Sequence, residues 1–349
     1  MNYLLIDGNN LGIRASFGNS ELKSSSGIPT GSHYGFFQSL INLKQRYPDY
    51  QFLVVWDSKS KRRIAEAQSG VENGLIKSGY KANRKKDERP QELINFYEQL
   101  PFLKRGLGKT GIPQIVIDGY EADDVIASYC KQLDSSNTIV AVTSDKDYFQ
   151  LLDEHISIWD GLKSISITKE TLIDEYKIQP HQFIDCGALS GDTSDNIFGI
   201  PSWGEKTSLK ALQEHGSWEK ILEIYKKQFC DLRQKFPDLI NNEEEFNRLK
   251  EIQTKSGKPK YPEITIDMPF SGVTLAVEDK KTKVIPKTIL LALMFEKRIK
   301  LAYSLKKMDC DISDLPEIIS GQSEEKELLE YFDYYDIESL KNDIDIFCK

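Results

Sequence analysis

Between Gly119 and Leu152 the chain places five carboxylates in two tight groups: Glu121, Asp123 and Asp124, then Asp145 and Asp147. The first group precedes the apolar run Val125-Ile126-Ala127, which puts it in the first turn of a helix. The second follows Ile139 to Val142, an apolar run of strand type, which puts it at that strand's C-terminal end. In an open α/β sheet, ligands bind in the crevice outside the carboxyl ends of the strands. Either group alone has an ordinary explanation. Acids in a helix's first turn favour the macrodipole by about 0.3–1 kcal/mol each, and Asp after a strand is common turn chemistry. Together they call for a cation, because clustered like charges repel and burying an unpaired carboxylate is costly. An all-oxygen cluster suits Mg²⁺ or Mn²⁺, which bind carboxylates and keep several waters.

The same arrangement recurs along the chain. Asn2 to Ile6 is a short apolar run ending in Asp7-Gly8-Asn9-Asn10, a buried strand entering a Gly/Asn turn. Tyr50 to Trp56 is a second strand, closed by Asp57. Ile112 to Asp118 is a third, leading through Gly119 into the acidic helix start, and Thr138 to Thr143 is a fourth. His155 to Trp159 and Ser164 to Thr168 form a hairpin turning at Asp160-Gly161. Helical spacing of Phe36, Phe37, Leu40, Ile41 and Leu43 separates the first two strands. The alternation predicts an α/β fold with a mainly parallel central sheet and helices on both faces.

The expected organisation is a core over residues 1–172, with an insertion at about 58–110, and a helical region over 173–349. The insertion breaks the α/β rhythm and is basic: thirteen Lys/Arg against six acids, a local +7 on a chain of net charge −8. Such a patch is the footprint of phosphate binding. Within it, Lys81 and Arg84 are three residues apart beside Tyr80, a spacing that sets them on one helical face with Lys85 and Lys86 adjacent. Further along, Asp192 and Asp195 are three apart and can face one ion. Gly199-Ile-Pro-Ser-Trp-Gly204 then leads into a helix beginning near Glu205, with Lys206 and Thr207 in its first turn. A Gly-rich turn into a helix N-terminus presents free N–H groups to a backbone phosphate. Beyond Ser217 the pattern thins to a charged helix over 218–250, an irregular stretch over 255–285, an amphipathic helix from Pro286 to Lys306 and an acidic tail.

No run approaches eighteen apolar residues, so no spanning helix is expected, and no signal-peptide pattern opens the chain. Five cysteines without paired spacing and four scattered histidines exclude a Cys/His metal site and fit a cytoplasmic, reducing compartment.

With these blocks assembled, the sequence resembles the 5′-nuclease (flap endonuclease) family, which includes phage 5′-exonucleases and the 5′-nuclease domain of bacterial DNA polymerase I. The matching residues are Ile6 to Leu11, Trp56-Asp57, Tyr80 to Arg84, Gly119 to Asp124, Ser144 to Asp147 through Leu151, and Gly191 to Asn196 into Gly199-Ile-Pro201 and Gly204 to Thr207. The resemblance implies a PIN-like 5′-nuclease core with a helical arch at 58–110 and a DNA-binding helix-turn-helix element at 186–215. It implies a structure-dependent 5′-3′ exonuclease or flap endonuclease acting near DNA 5′ ends or 5′ flaps, RNA-primed ones included. It implies two Mg²⁺ or Mn²⁺ ions held by Asp7, Asp57, Glu121, Asp123, Asp124, Asp145, Asp147, Asp192 and Asp195. Lys81 and Arg84 would be the basic pair beside the scissile phosphate. Tyr80, Lys85, Lys86, Gly199, Gly204, Lys206 and Thr207 would contact DNA, with K⁺ at the 199–204 turn. In that turn Ser202 stands where the family usually has glycine, Trp203 follows it, and Phe198 stands where Pro is common. A monomeric, stand-alone enzyme is expected. The competing readings are a non-catalytic DNA-structure binder on this fold, which would lack the metal acids, and a PIN-type ribonuclease, which would lack the arch and the Gly-Ile-Pro turn.

Overall fold

The computed structural model describes residues 1–84, 88–235, 291–293 and 295–348. They divide into two compact units. The first comprises Met1–Arg62, Arg84–Glu175 and Met308–Lys349, the second Arg63–Asn83 and Tyr176–Lys307.

The first unit is built on a six-stranded sheet. Its strands are β1 (Asn2–Asp7), β2 (Tyr50–Trp56), β3 (Gln114–Val116), β4 (Thr138–Val142), β5 (Ile156–Asp160) and β6 (Ile165–Ile167), in the order β3-β2-β1-β4-β5-β6. β1 to β5 run parallel, and β6 closes the edge antiparallel to β5. The central strands are continuous apolar runs because a parallel sheet is covered on both faces. Leu4, Ile6, Phe52, Val54, Trp56, Val140 and Val142 face one core. It is completed by α1 (Gly8–Gly18), α2 (Gly31–Arg46) and α4 (Gln91–Gly108). The alternate residues Leu5, Leu53, Val55, Ile139 and Ala141 are equally buried, and α5 (Ala122–Gln132) contacts β1 and β2.

The third strand is shorter than its apolar run. Only Gln114 to Val116 pair with β2. Ile112 donates its N–H to the Thr110 hydroxyl, and the Ile117 carbonyl accepts from Tyr120, so both ends are committed to turns. Residues 308–349 complete the first unit. Its helix α11 (Glu325–Tyr334) inserts Leu328 and Phe332 into the same core, with Phe332 edge-on to Phe37 at 5.2 Å between centroids. His33 stacks on Tyr335 at 4.0 Å.

The second unit packs α7 (Gln182–Ser190), a two-stranded hairpin β7 (Gly191–Asp192) and β8 (Ile197–Phe198), α8 (Glu205–His215), α9 (Trp218–Lys235) and α10 (Glu296–Lys306). Trp203, Trp218, Leu222, Phe295, Ile299 and Leu305 fill its core. The helix expected from Pro286 is seen over α10. Residues 286–290, the expected irregular stretch 255–285 and the charged helix beyond Lys235 lie outside the described residues. Among the described residues no helix is long and apolar enough to cross a membrane.

Candidate active site

The strand order decides which acids meet. β2, β1 and β4 are neighbours, so Asp57, Asp7 and Asp145 stand side by side at the C-terminal ends of three adjacent parallel strands. Asp7 caps α1, accepting the Asn10 N–H at 2.8 Å on Oδ1. Two and three positions on, asparagines hold the neighbouring loops. Asn9 Oδ1 accepts the Asp57 N–H at 3.1 Å, and Asn10 Oδ1 accepts the Ser144 N–H at 3.2 Å. Gly8 is required by closeness, since a Cβ there would lie 2.6 Å from the Trp56 ring.

Asp57 Oδ1 accepts the Ala122 N–H at 2.8 Å, tying the second strand to the first turn of α5. Glu121 is the N-cap residue of α5, and Asp123 and Asp124 occupy its first turn. Asp124 is buried; its Oδ1 accepts the Asp309 N–H at 2.7 Å, and Arg62 lies 3.8 Å away. Asp145 caps a single 3₁₀ segment, Lys146–Leu151, and accepts the Asp147 N–H at 2.9 Å.

The electrostatics follow from this crowding. Burial pushes the Asp7 carboxyl well above the usual range, and the charges of Asp57 and Asp145 push it further. Tyr148 is fully enclosed and donates its hydroxyl to Asp7 Oδ2 at 3.0 Å. Burial raises that phenol well above its ordinary value, with Asp7, Asp123, Asp57 and Asp145 adding to the effect. One hydroxyl therefore senses four carboxylates drawn from three strand ends and a helix start.

Tyr148 and Lys104 are the residues that sequence reasoning missed here. Tyr148 follows Asp147 directly, and its one signal is a phenol opening the mostly apolar run Tyr-Phe-Gln-Leu-Leu. Lys104 is on α4, half-buried over the Trp56 ring at 4.8 Å; burial lowers its pKa while Asp57 opposes the shift.

In the second unit, Asp192 lies on β7 and Asp195 in the β7–β8 turn. Asp192 Oδ1 accepts the Ser194 N–H at 2.8 Å and hydroxyl at 2.6 Å, and Oδ2 accepts Lys306 Nζ at 2.9 Å. Burial would raise this carboxyl, but Lys306 and Ser194 outweigh it and bring it down to about 2. Asp195 Oδ2 accepts the Tyr80 hydroxyl at 3.0 Å, and its carbonyl accepts the Lys81 N–H at 2.9 Å. Asn196 Nδ2 donates to the Gly79 carbonyl at 2.6 Å, and Asn83 Nδ2 to the Thr193 carbonyl at 2.6 Å.

These bonds correct one expectation. Tyr80 to Asn83 form a turn rather than a helical face, and Lys81 has φ of 53°, outside the right-handed helix. The turn is shaped by its bonds to the acidic hairpin. Arg84 follows it and is exposed. Lys85 and Lys86 lie outside the described residues.

Gly199 and Gly191 pack backbone to backbone. A Cβ on Gly199 would lie 2.3 Å from the Gly191 nitrogen, and Gly191 has φ of 73°. Ser202 adopts φ of 68°, a conformation that favours glycine, in the turn leading to α8. Gly204 is the N-cap residue of α8 without a side-chain cap, and Lys206 and Thr207 are exposed in its first turn.

Comparison with known proteins identifies the family. A family model described as 5′-3′ exonuclease, N-terminal resolvase-like domain, matches residues 2–179. A second, described as 5′-3′ exonuclease, C-terminal SAM fold, matches residues 178–264. The chain is 33% identical to the 5′-3′ exonuclease of Aquifex aeolicus (strain VF5) over 225 residues, 64% of this chain and 73% of that protein. It is 34% identical over 279 residues to DNA polymerase I of Streptococcus pneumoniae (strain ATCC BAA-255 / R6). That match covers 77% of this chain but 30% of the polymerase, so the chain spans under a third of that relative's length. Among solved structures, bacteriophage T5 D15 flap endonuclease in a pseudo-enzyme-product complex with DNA and metal ions is similar, with a TM-score of 0.51 and 25% identity. The similarity covers 64% of this chain and 78% of that one.

Proposed function

From the premise that this chain belongs to the 5′-3′ exonuclease family, we propose that it hydrolyses phosphodiester bonds near DNA 5′ ends and at the base of 5′ flaps. The observation that carries this reading is the placing of Asp7, Asp57 and Asp145 at the C-terminal ends of three adjacent parallel strands, with Asp57 bonded to the acidic first turn of α5.

The donor set fits divalent ions. It is all carboxylate, and Asp7, whose carboxyl is raised first by burial and then by the charges of Asp57 and Asp145, is a group that a bound cation would hold ionised. For the two Mg²⁺ or Mn²⁺ ions, Asp7, Asp57, Glu121, Asp123, Asp124, Asp145 and Asp147 are the candidate ligands within the first unit, and Asp192 and Asp195 are those within the second. When bound, such ions supply a nucleophilic water at neutral pH and neutralise charge developing on the phosphate.

The chain's own residues do the rest. Asn9 and Asn10 set the loops after β2 and β4 at fixed distances from Asp7. Tyr148 orients the Asp7 carboxylate by hydrogen bonding one oxygen. Lys81 and Arg84 would offer positive charge to the scissile phosphate, stabilising charge as it develops. The basic 58–110 segment would track the strand, and its phosphate contacts would make binding steeply salt-dependent. The exposed start of α8, with Gly204, Lys206 and Thr207, would grip a backbone phosphate. K⁺ would sit at the 199–204 turn, where backbone carbonyls are the available ligands.

Cleavage of a 5′-labelled flap duplex with Mg²⁺ and with EDTA tests the reading. Metal-dependent release of short 5′ products is expected, abolished by Asp145→Asn or Asp192→Asn with DNA binding largely kept. Tight binding without cleavage in Mg²⁺ or Mn²⁺ would instead favour a DNA-structure binder.

A further inference from the structure

A second cluster in the first unit lies between α1, α2 and the β5–β6 hairpin, around a cavity of about 320 Å³. Arg14, Asn42, Arg46, Trp159, Gly161 and Ser164 are among its lining residues. Nε and Nη1 of Arg14 are buried and make no hydrogen bond. Asp160 attracts this guanidinium, but burial still lowers its pKa. Asp160 is already engaged: its Oδ1 accepts the Ser144 hydroxyl at 2.6 Å and the Leu162 N–H at 3.0 Å, and Lys163 lies 3.8 Å from Oδ2.

The remaining donors converge on one open spot. A Cβ built on Gly161 would lie 3.5 Å from Arg14 Nη2, 3.6 Å from Trp159 Nε1 and 3.7 Å from Arg14 Nη1. Glycine leaves that volume empty. The Arg46 guanidinium lies 3.9 Å from the Trp159 ring centre, adding a second positive charge to the same wall. Two cations, an indole N–H and a cradle lacking a side chain form a surface complementary to a compact anion with several acceptor oxygens. Arginine's planar fork suits phosphate in particular.

We propose that the pocket walled by Arg14, Arg46, Trp159 and Gly161 binds a phosphate group. The group comes from a nucleic-acid strand or from a free nucleotide or phosphate; the chemistry recognised is the same. The site is independent of the carboxylate cluster and stands whether or not the chain is a nuclease.

Thermal-shift titration of the full-length protein with inorganic phosphate, against sodium chloride of matched ionic strength, tests this. Arg14→Met and Gly161→Ala are the variants. The added methyl of Gly161→Ala makes only ordinary contacts at 3.5–3.7 Å, so it occupies the cradle without disturbing the fold. A saturable rise in Tm is expected for the parent protein, with affinity weakened about tenfold or more in each variant. Phosphate also stabilises proteins by exclusion from their surface, so an equal rise in all three proteins overturns the proposal. Binding of a short single-stranded oligonucleotide in EDTA separates the sources. Weaker strand binding in both variants assigns the pocket to a strand phosphate. Unchanged strand binding with the phosphate response lost assigns it to a free phosphate or nucleotide.

Discussion

The hydroxyl of the buried Tyr148 donates to Asp7 Oδ2 at 3.0 Å, while Asp7 Oδ1 accepts the Asn10 N–H. Both oxygens of the first-strand acid are therefore oriented by the protein. Tyr148→Phe removes one donor without changing the ring. Metal affinity and turnover should each fall by about 10–100-fold, the usual cost of losing a ligand's supporting hydrogen bond. Calorimetric titration with Mn²⁺ beside flap cleavage rates checks this; unchanged metal affinity would reduce Tyr148 to a packing residue.

Lys306 holds Asp192 at 2.9 Å and, with Ser194, keeps its pKa at about 2 despite burial. A carboxyl depressed in the folded state contributes stability that is present above its unfolded value of 3.8 and lost as pH falls toward about 2. Lys306→Met should remove that contribution, on the order of 2 kcal/mol in metal-free protein at neutral pH. Urea unfolding in EDTA across the acid range measures it, and an unaltered acid limb would show that the pair is energetically neutral.

Asp185 of α7 carries the opposite shift. Burial, reinforced by Glu219, raises its carboxyl to about 7. The folded state then holds a proton that the unfolded chain has released, so stability falls as pH rises from about 4 to about 7 and is level above. Asp185→Asn should flatten this part of the profile by roughly a few kcal/mol. A wild-type slope retained in the variant would assign the titration elsewhere.

Lys81 sits in a left-handed turn at φ of 53°, its N–H bound to the Asp195 carbonyl. That bond involves the backbone and survives side-chain truncation. Lys81→Ala should lower turnover by about a hundredfold while affinity changes little, because only charge offered to the transition state is lost. Single-turnover rates with separate binding measurements decide this. A loss confined to affinity would move Lys81 from the chemical step to substrate grip.

Local pattern in the sequence determined the strands of the six-stranded sheet, most of the helices and the identity of the acids. Ile139 to Val142 reads as a strand and Val125 to Ala127 as a helix start because their periodicities span only a few residues. Asp7, Asp57 and Asp145 could each be placed at a strand end for the same reason. Their adjacency could not, because strand order β2-β1-β4 is settled by packing between segments far apart in sequence. Tyr148 acquires its role only when the segment after β4 folds over Asp7, a residue 141 positions earlier. The bend at Tyr80 to Asn83 likewise depends on bonds to Thr193, Asp195 and Asn196, which outweigh the local helical spacing of Lys81 and Arg84. The tail was legible as helix-forming, yet its place was not. Leu328 and Phe332 enter the core of the first unit, with Phe332 edge-on to Phe37 of α2, a meeting of segments far apart in sequence. Short-range hydrogen bonding and side-chain period write elements into a sequence. Which elements meet is decided by long-range burial, and the catalytic geometry proposed for this chain rests on that second step.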